Sequence, residues 1–508
     1  MILPDITIVA NSFNPLHHSG GSSPYFNAPS QDGIATSTPS NCKVDQAAYI
    51  LRHGSRYPEP GSFTGWQALF AKFQNASYTA TGPLAFIPSW VPPVDDIPHE
   101  PLFLSSTGAR EAFSLGVDLR KRYALTRGGQ NLTVWAASQQ RCVDTASFFL
   151  RGYLSQGDYL TTPNENRGSI ITLADSVNFT FADSLTPSAA CPAYSGPASA
   201  GATSASNFRA MYQPKIAERL NRFLDGLTLD PTDIGVMQDL CGFQAEINGD
   251  TRFCDVFEDS EWLDYEYALD LNYYYGSGPG NPIAATTGFP WVKIITDLFN
   301  TGPGTTTSGG NFTPPALIMG FTVGNTFFPP PSLRLRPNPD QHDNNLPPVV
   351  AALGLWNTST DKNVYPLSPT KPNTKRQFRS SFLVTFHGHV ALERLACTPN
   401  GPATTVKHVA NQFPSSGPTE SYVRIRSFAD SGSLFRQINN APVAIPGCVS
   451  GPGNSCPLDE FTAYVQQRGV ASGDYVKTCG LENVSNATSV VSFLTTEPDP
   501  STVQLVSI

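Results

Sequence analysis

Arg52-His53-Gly54-Ser55-Arg56 sets a guanidinium on either side of one imidazole, with a glycine beside the ring. Guanidinium forks match phosphate oxygens with bidentate geometry, an imidazole can attack phosphorus, and a glycine lets the backbone approach an anion closely. Transfer of a phosphoryl group is the chemistry such a cluster could do. The plainer reading of the same string is a strand end with exposed charge. Arg141, in Ala137-Ser-Gln-Gln-Arg-Cys-Val143, reads either as an ordinary surface arginine or as another phosphate ligand. His387 and His389 form an H-x-H that invites a metal reading. No third ligand of suitable spacing stands near, so a strand-end pair is the better account.

These residues need a scaffold, and the flanking patterns predict one. Val44–Leu51 is a short run ending in apolar residues that reads as a buried strand, and it passes straight into Arg52. Open α/β sheets place ligands at such strand ends. Ser106–Tyr123 carries Ala112, Leu115 and Leu119 at helical spacing and a basic last turn that suits the helix dipole. Leu132–Ala137 reads as a second strand and Asp144–Leu150 as the helix after it. This alternation predicts a parallel α/β sheet. Ahead of it, residues 1–41 read as an extended arm rich in turn formers, which holds His17 and His18. From about Ala189 the texture changes. A small-residue linker, 195–204, precedes helical spacing over Phe208–Leu227 and again over Glu261–Tyr275. Trp262, Tyr265, Tyr267 and the tyrosines at 273 to 275 suit helix packing better than a ligand stack. Strand character returns at Ala316–Thr322 and Phe382–Phe386. The predicted division is arm 1–41, α/β part 42–188, mainly helical insertion 189–300, and a second α/β part with a C-terminal segment, 301–508.

The chain of 508 residues is too long for one ordinary core, so two domains or one domain with a large insertion is expected. Its 40% hydrophobic and 14% charged residues can fold, and a formal charge of −9 argues against a nucleic-acid or anionic-membrane binder. No stretch reaches the roughly 18 apolar residues of a membrane helix. Seven N-x-[S/T] sequons, at Asn75, Asn131, Asn178, Asn311, Asn357, Asn483 and Asn486, together with nine cysteines favour secretion. A signal peptide is not evident at Met1-Ile-Leu-Pro-Asp, which points to a longer precursor or a different start.

The chain resembles the histidine acid phosphatases, and within them the secreted fungal phytase and acid phosphatase branch of the phosphoglycerate-mutase-like superfamily. The resemblance spans nearly the whole chain. It is carried by Asn14-Pro-Leu-His-His-Ser-Gly-Gly with Ser23-Pro-Tyr-Phe, by Arg52-His-Gly-Ser-Arg-Tyr-Pro, and by Ala137-Ser-Gln-Gln-Arg-Cys-Val. It continues in Tyr274-Tyr-Gly-Ser-Gly-Pro-Gly-Asn-Pro, His342-Asp-Asn-Asn-Leu-Pro with Ala351-Ala-Leu-Gly-Leu, and Cys456-Pro-Leu-Asp-Glu-Phe. It implies a mixed, mostly parallel sheet flanked by helices, with a helical insertion domain. It implies His53 as nucleophile, Arg52, Arg56, Arg141 and His342 as phosphate ligands, and Asp343 as general acid, with an acidic optimum and neither metal nor cofactor. It also implies the disulfides Cys42–Cys397, Cys191–Cys479, Cys241–Cys254 and Cys448–Cys456, leaving Cys142 as a buried free thiol. The implied substrates are small phosphomonoesters, with phytate (myo-inositol hexakisphosphate) among the candidates; oligomeric state is not implied.

One departure stands out. In related proteins an apolar strand runs directly into the His-Asp pair, whereas here 323–341 intervene, proline-rich and neither strand nor helix in character. These 19 residues correspond to 57 nucleotides; a valine codon begins GT and a glutamine codon can be CAG, the limits of an intron. The expectation is a translated intron, with a native loop as its rival. The scarcity of lysines, ten in the whole chain and none in 59–67, favours a broad acid phosphatase over a dedicated phytase. A mutase and a catalytically impaired secreted binding protein are the readings from other classes.

Overall fold

The computed structural model describes residues 13–26, 28–29, 32–123, 125, 132–155, 168–175, 180–306, 313, 315–323, 345–398, 420–427 and 442–506. Along the chain come β1 (Cys42–Arg52), α1 (Pro60–Gln74), β2 (Thr79–Ala80), α2 (Ser106–Tyr123), β3 (Leu132–Ala137), α3 (Gln140–Leu154) and β4 (Gly168–Leu173). Next are α4 (Ser195–Asn221), β5 (Leu224–Asp225), α5 (Pro231–Ile247), α6 (Asp259–Gly276) and α7 (Ala284–Thr301). The chain then returns to the sheet with β6 (Leu317–Thr322), α8 (Leu346–Ala352), α9 (Ser380–Leu383), β7 (His389–Cys397), β8 (Glu420–Ser427), β9 (Pro442–Val443) and β10 (Cys456–Pro457). It ends with α10 (Leu458–Ser472), α11 (Tyr475–Thr478) and β11 (Val503–Val506).

The sheet is mixed, flanked by helices, and ordered β10-β8-β7-β1-β6-β3-β4-β11, with β9 paired to β8. Its centre, β1, β6, β3 and β4, is parallel, and antiparallel strands extend both sides. Residues 46 to 52 of β1 are all buried, the continuous run expected of a strand covered on both faces. Arg52 stands opposite Thr322 of β6, and Leu51 opposite His389 of β7. Three elements therefore meet at one edge of the sheet, the carboxyl edge of its parallel strands. At the other end of the same ladder Cys42 pairs in register with Cys397, and the two are joined as a disulfide. Cys191–Cys479, Cys241–Cys254 and Cys448–Cys456 are joined as well, and Cys142 is a buried free thiol. Among the described residues no helix is long and apolar enough to cross a membrane.

Two elements differ from their sequence patterns. The 195–204 stretch is not a linker but the first turns of α4. Its small residues serve packing: a Cβ on Gly201 would lie 2.2 Å from the Asn272 carbonyl oxygen, so only glycine lets α4 press this closely on α6. Phe382–Phe386 is not a strand; α9 ends at Leu383 and a turn follows. Every residue of the segment is buried, and an apolar run without alternation carries no period by which to tell strand from helix. Its backbone is used otherwise, since the Val384 carbonyl accepts from the Arg52 guanidinium at 2.6 Å.

Candidate active site

Arg52 is the last residue of β1, and His53 follows it into a tight loop at the carboxyl edge. The His53 backbone is held on both sides, its N–H donating to Thr322 of β6 (3.3 Å) and its carbonyl accepting from the His387 N–H (3.2 Å). The ring is fully buried. Its Nδ1 lies 2.9 Å from the Gly54 carbonyl oxygen. A carbonyl can only accept, so Nδ1 carries the hydrogen and Nε2 keeps its lone pair for attack. Burial, and after it the charges of Arg141, Arg52 and Arg56, hold the imidazole pKa well below its ordinary value. The ring is thus a neutral imidazole among cations.

Gly54 is a steric requirement. A Cβ there would lie 2.7 Å from His387 Nε2 and 3.0 Å from the Gly108 carbonyl oxygen. Its N–H donates to Thr145 Oγ1 (3.0 Å), and that hydroxyl donates to the Arg141 carbonyl (2.6 Å), so α3 and the nucleophile loop are tied together. Arg141 sits in the first turn of α3, where the helix dipole also favours an anion.

The guanidiniums are buried, and those of Arg52 and Arg56 are individually anchored. Arg52 donates to the carbonyls of Gly21 and Val384 and lies 4.6 Å over the Phe386 ring. Arg56 donates to the Tyr57 carbonyl and to Glu59, each at 2.8 Å. Burial, with repulsion from Arg56 added, pulls Arg52 down to about 9 and Arg141 down to about 10. Cations kept together at such a cost form a preorganised anion site. The N-terminal segment completes it: Pro15–His18 and Gly20–Ser22 are 3₁₀ turns rather than an extended arm, His18 pairs with Glu266 of α6 (3.3 Å), and Gly21 reaches Arg52.

Among the sequence candidates, Arg52, His53, Arg56 and Arg141 come together here. His342 and Asp343 lie outside the described residues. The residues on either side, Val323 and Asn345, are both buried at the end of β6, where the Asn345 amide donates to the Val323 carbonyl. His389 opens β7 and His387 adjoins the nucleophile loop, its ring against Gly54, so the H-x-H is built into the fold around that loop. Of the α6 aromatics, Trp262, Tyr267 and Tyr274 are core; Tyr273 also reaches the site, its hydroxyl and the Arg52 guanidinium both lying against Gly21. Burial pushes the Cys142 thiol up, which makes it a poor nucleophile. Thr145, Glu59 and Thr322 hold the loop but have no mark in the sequence beyond Glu59 standing three residues from Arg56; His387 was marked only by its H-x-H with His389.

A sheet whose parallel strands deliver one imidazole and three guanidiniums to a single edge is the framework of a phosphoryl-transfer protein. The sequence profile described as the histidine phosphatase superfamily (branch 2) matches residues 43–426. The chain belongs to that superfamily, and the histidine acid phosphatase class expected from its motifs stands. It is 28% identical over 491 residues to an acid phosphatase of Komagataella pastoris, covering 95% of this chain and 90% of that one. It is 26% identical to a phytase of Candida albicans (93% and 88% covered) and 28% identical to phytase A of Aspergillus awamori (82% and 89%). The crystal structure of the phytase from D. castellii shares the fold, with a TM-score of 0.75 at 23% identity over 96% of this chain and 92% of that one.

Proposed function

We propose that the protein is an extracellular acid phosphatase that hydrolyses phosphomonoesters through a phosphohistidine at His53. The observation that carries this reading is the buried neutral ring with its Nδ1–H committed to Gly54 and three guanidiniums acting on it. His53 Nε2 attacks phosphorus, the N–P bond forms, and the ester P–O bond breaks. Arg52, Arg56, Arg141 and His342 take the charge on the equatorial oxygens. Asp343, assigned from its motif, gives its proton to the leaving alkoxide. It then takes a proton from the water that attacks the phosphohistidine, so inorganic phosphate leaves and both groups are restored. The arginines supply the countercharge throughout. Export is supported by four disulfides and by sequons at Asn75, Asn483 and Asn486 on exposed residues.

The test is His53→Ala at acidic pH, which should lower kcat by about four orders of magnitude or more, the scale of losing a covalent nucleophile. A variant with wild-type turnover would remove the reading. Relatives named as acid phosphatases and as phytases are equally similar, so they do not choose the ester. Among the described residues the site includes arginines but no lysine, which favours small monoesters over a hexakisphosphate. The ratio of kcat/KM for p-nitrophenyl phosphate and phytate decides it, and a large excess for phytate would reverse the preference.

A further inference from the structure

Behind the His53 loop lies a cluster that phosphoryl transfer itself does not use. Ser55 Oγ is 2.7 Å from Oε2 of Glu111 on α2 and 2.8 Å from Oε2 of Glu246 on α5. The Ser55 main chain is pinned beside the pair, because its carbonyl accepts from both the N–H and the hydroxyl of Ser105, at 2.9 and 3.0 Å. A hydroxyl has one hydrogen and donates to one carboxyl only. The second contact therefore needs a hydrogen on the other carboxyl; with both ionised, lone pairs would face lone pairs at hydrogen-bond distance. Glu246 is buried and Glu111 partly so, and the two are close enough to bond each other.

We propose that Glu111 and Glu246 share one proton across Ser55, and that this proton holds the loop bearing His53 in register. The two glutamates are positioning residues, acting through Ser55. Burial, and next the charge of Glu111, raises Glu246 above the usual carboxyl range, which keeps the proton in place at acidic and neutral pH. The other groups facing the pair are Arg110 on α2, which opposes that rise, and His387, whose Nε2 is 3.5 Å from Glu111; the Ser105 hydroxyl reaches only the main-chain carbonyl of Glu246, at 3.5 Å. His387 also flanks Gly54, so the cluster touches the nucleophile loop at two consecutive residues. Loss of the proton sets two carboxylates against each other beneath the loop and frees Ser55.

The kinetic part of this inference rests on the phosphatase reading; the spectroscopic part does not. The full-length wild type, Glu246→Gln and Glu111→Gln are compared in two ways. Infrared spectra at neutral pH should show the carbonyl stretch of a neutral carboxyl in the wild type, lost in either glutamine variant. Turnover of 2,4-dinitrophenyl phosphate, whose leaving group needs no proton, is followed from acid to alkaline pH. The wild type should lose kcat on the alkaline side, and Glu246→Gln, permanently neutral, should move that loss upward by about one pH unit or more. Introducing Ser55→Ala should cancel the shift. If Glu246→Gln does not fold, Glu111→Gln reads the same proton from the other side. Absence of the neutral-carboxyl band, or an alkaline limb unmoved by the glutamine, overturns the inference. A wild type with the band but inert on every ester would instead sink the phosphatase reading.

Discussion

At His53 one residue must be both surrounded by positive charge and uncharged itself. The same burial and the same three arginines that are proposed to bind the phosphoryl oxygens also suppress protonation of the ring. Because the folded pKa is depressed, the nucleophilic form persists as pH falls below the ordinary imidazole value of about 6.5. The acid limb of kcat/KM should lie well below that value. Arg141→Ala removes the largest of the charge contributions, so it should lower kcat by about 10² to 10³ and move the acid limb upward, with Arg141→Lys partly restoring both. A pH profile of the three proteins checks this; an unmoved limb would show that Arg141 does not act on the ring. Arg52, His53 and Arg56 were legible because one string holds them. Glu111 and Glu246 were not, since each reaches Ser55 from a distant segment and no local pattern marks a residue chosen by tertiary approach; His387 stood out only as half of an H-x-H, which did not point to Gly54.

Some elements were legible as apolar runs and others as helical spacing. β1, β3 and β6 are apolar runs ending at the site, and α2 shows its helical spacing. Where packing rather than pattern decides, the residues misled: 195–204 is rich in small residues because α4 touches α6 there, and 382–386 is apolar because it is buried as a turn. The 323–341 segment belongs to this scale. The expected translated intron spans residues of which only Val323 is described, and Val323 is hydrogen-bonded to Asn345, two residues past Asp343. The chain is thus beside the end of β6 again at Asn345. Protein expressed without 323–341 should fold and turn over p-nitrophenyl phosphate at least as fast as the full chain. An inactive deletion beside an active full chain, or a transcript that retains the 57 nucleotides, would establish the segment as native.

Across the whole molecule, buried charge sets the pH range in which the fold holds. Glu393 of β7 lies 2.7 Å from both Arg424 and Arg426, and Glu266 of α6 lies 2.7 Å from Arg379 and 3.1 Å from Arg376. Burial alone would raise both carboxyls, but Arg424, Arg426 and Arg122 around the first, and His18, Arg379 and Arg376 around the second, hold them well below the usual range. Their stabilisation is full above the unfolded carboxyl pKa of about 4.3 and is lost as pH falls from there through the depressed values. Glu246 has the opposite sign: its raised pKa means a contribution present below about 4.3 and lost as pH rises through the folded value. Melting temperature should therefore peak at mildly acidic pH and decline toward both sides, and a Tm still climbing at alkaline pH would contradict this. The central claim concerns the bond made during turnover. Wild-type protein mixed with a labelled phosphomonoester, quenched in alkali where phosphohistidine survives, and digested for mass spectrometry should carry one phosphoryl group on His53, absent from His53→Ala. Label on another residue, or multiple turnovers with no phosphoenzyme trapped at any time, would contradict the account.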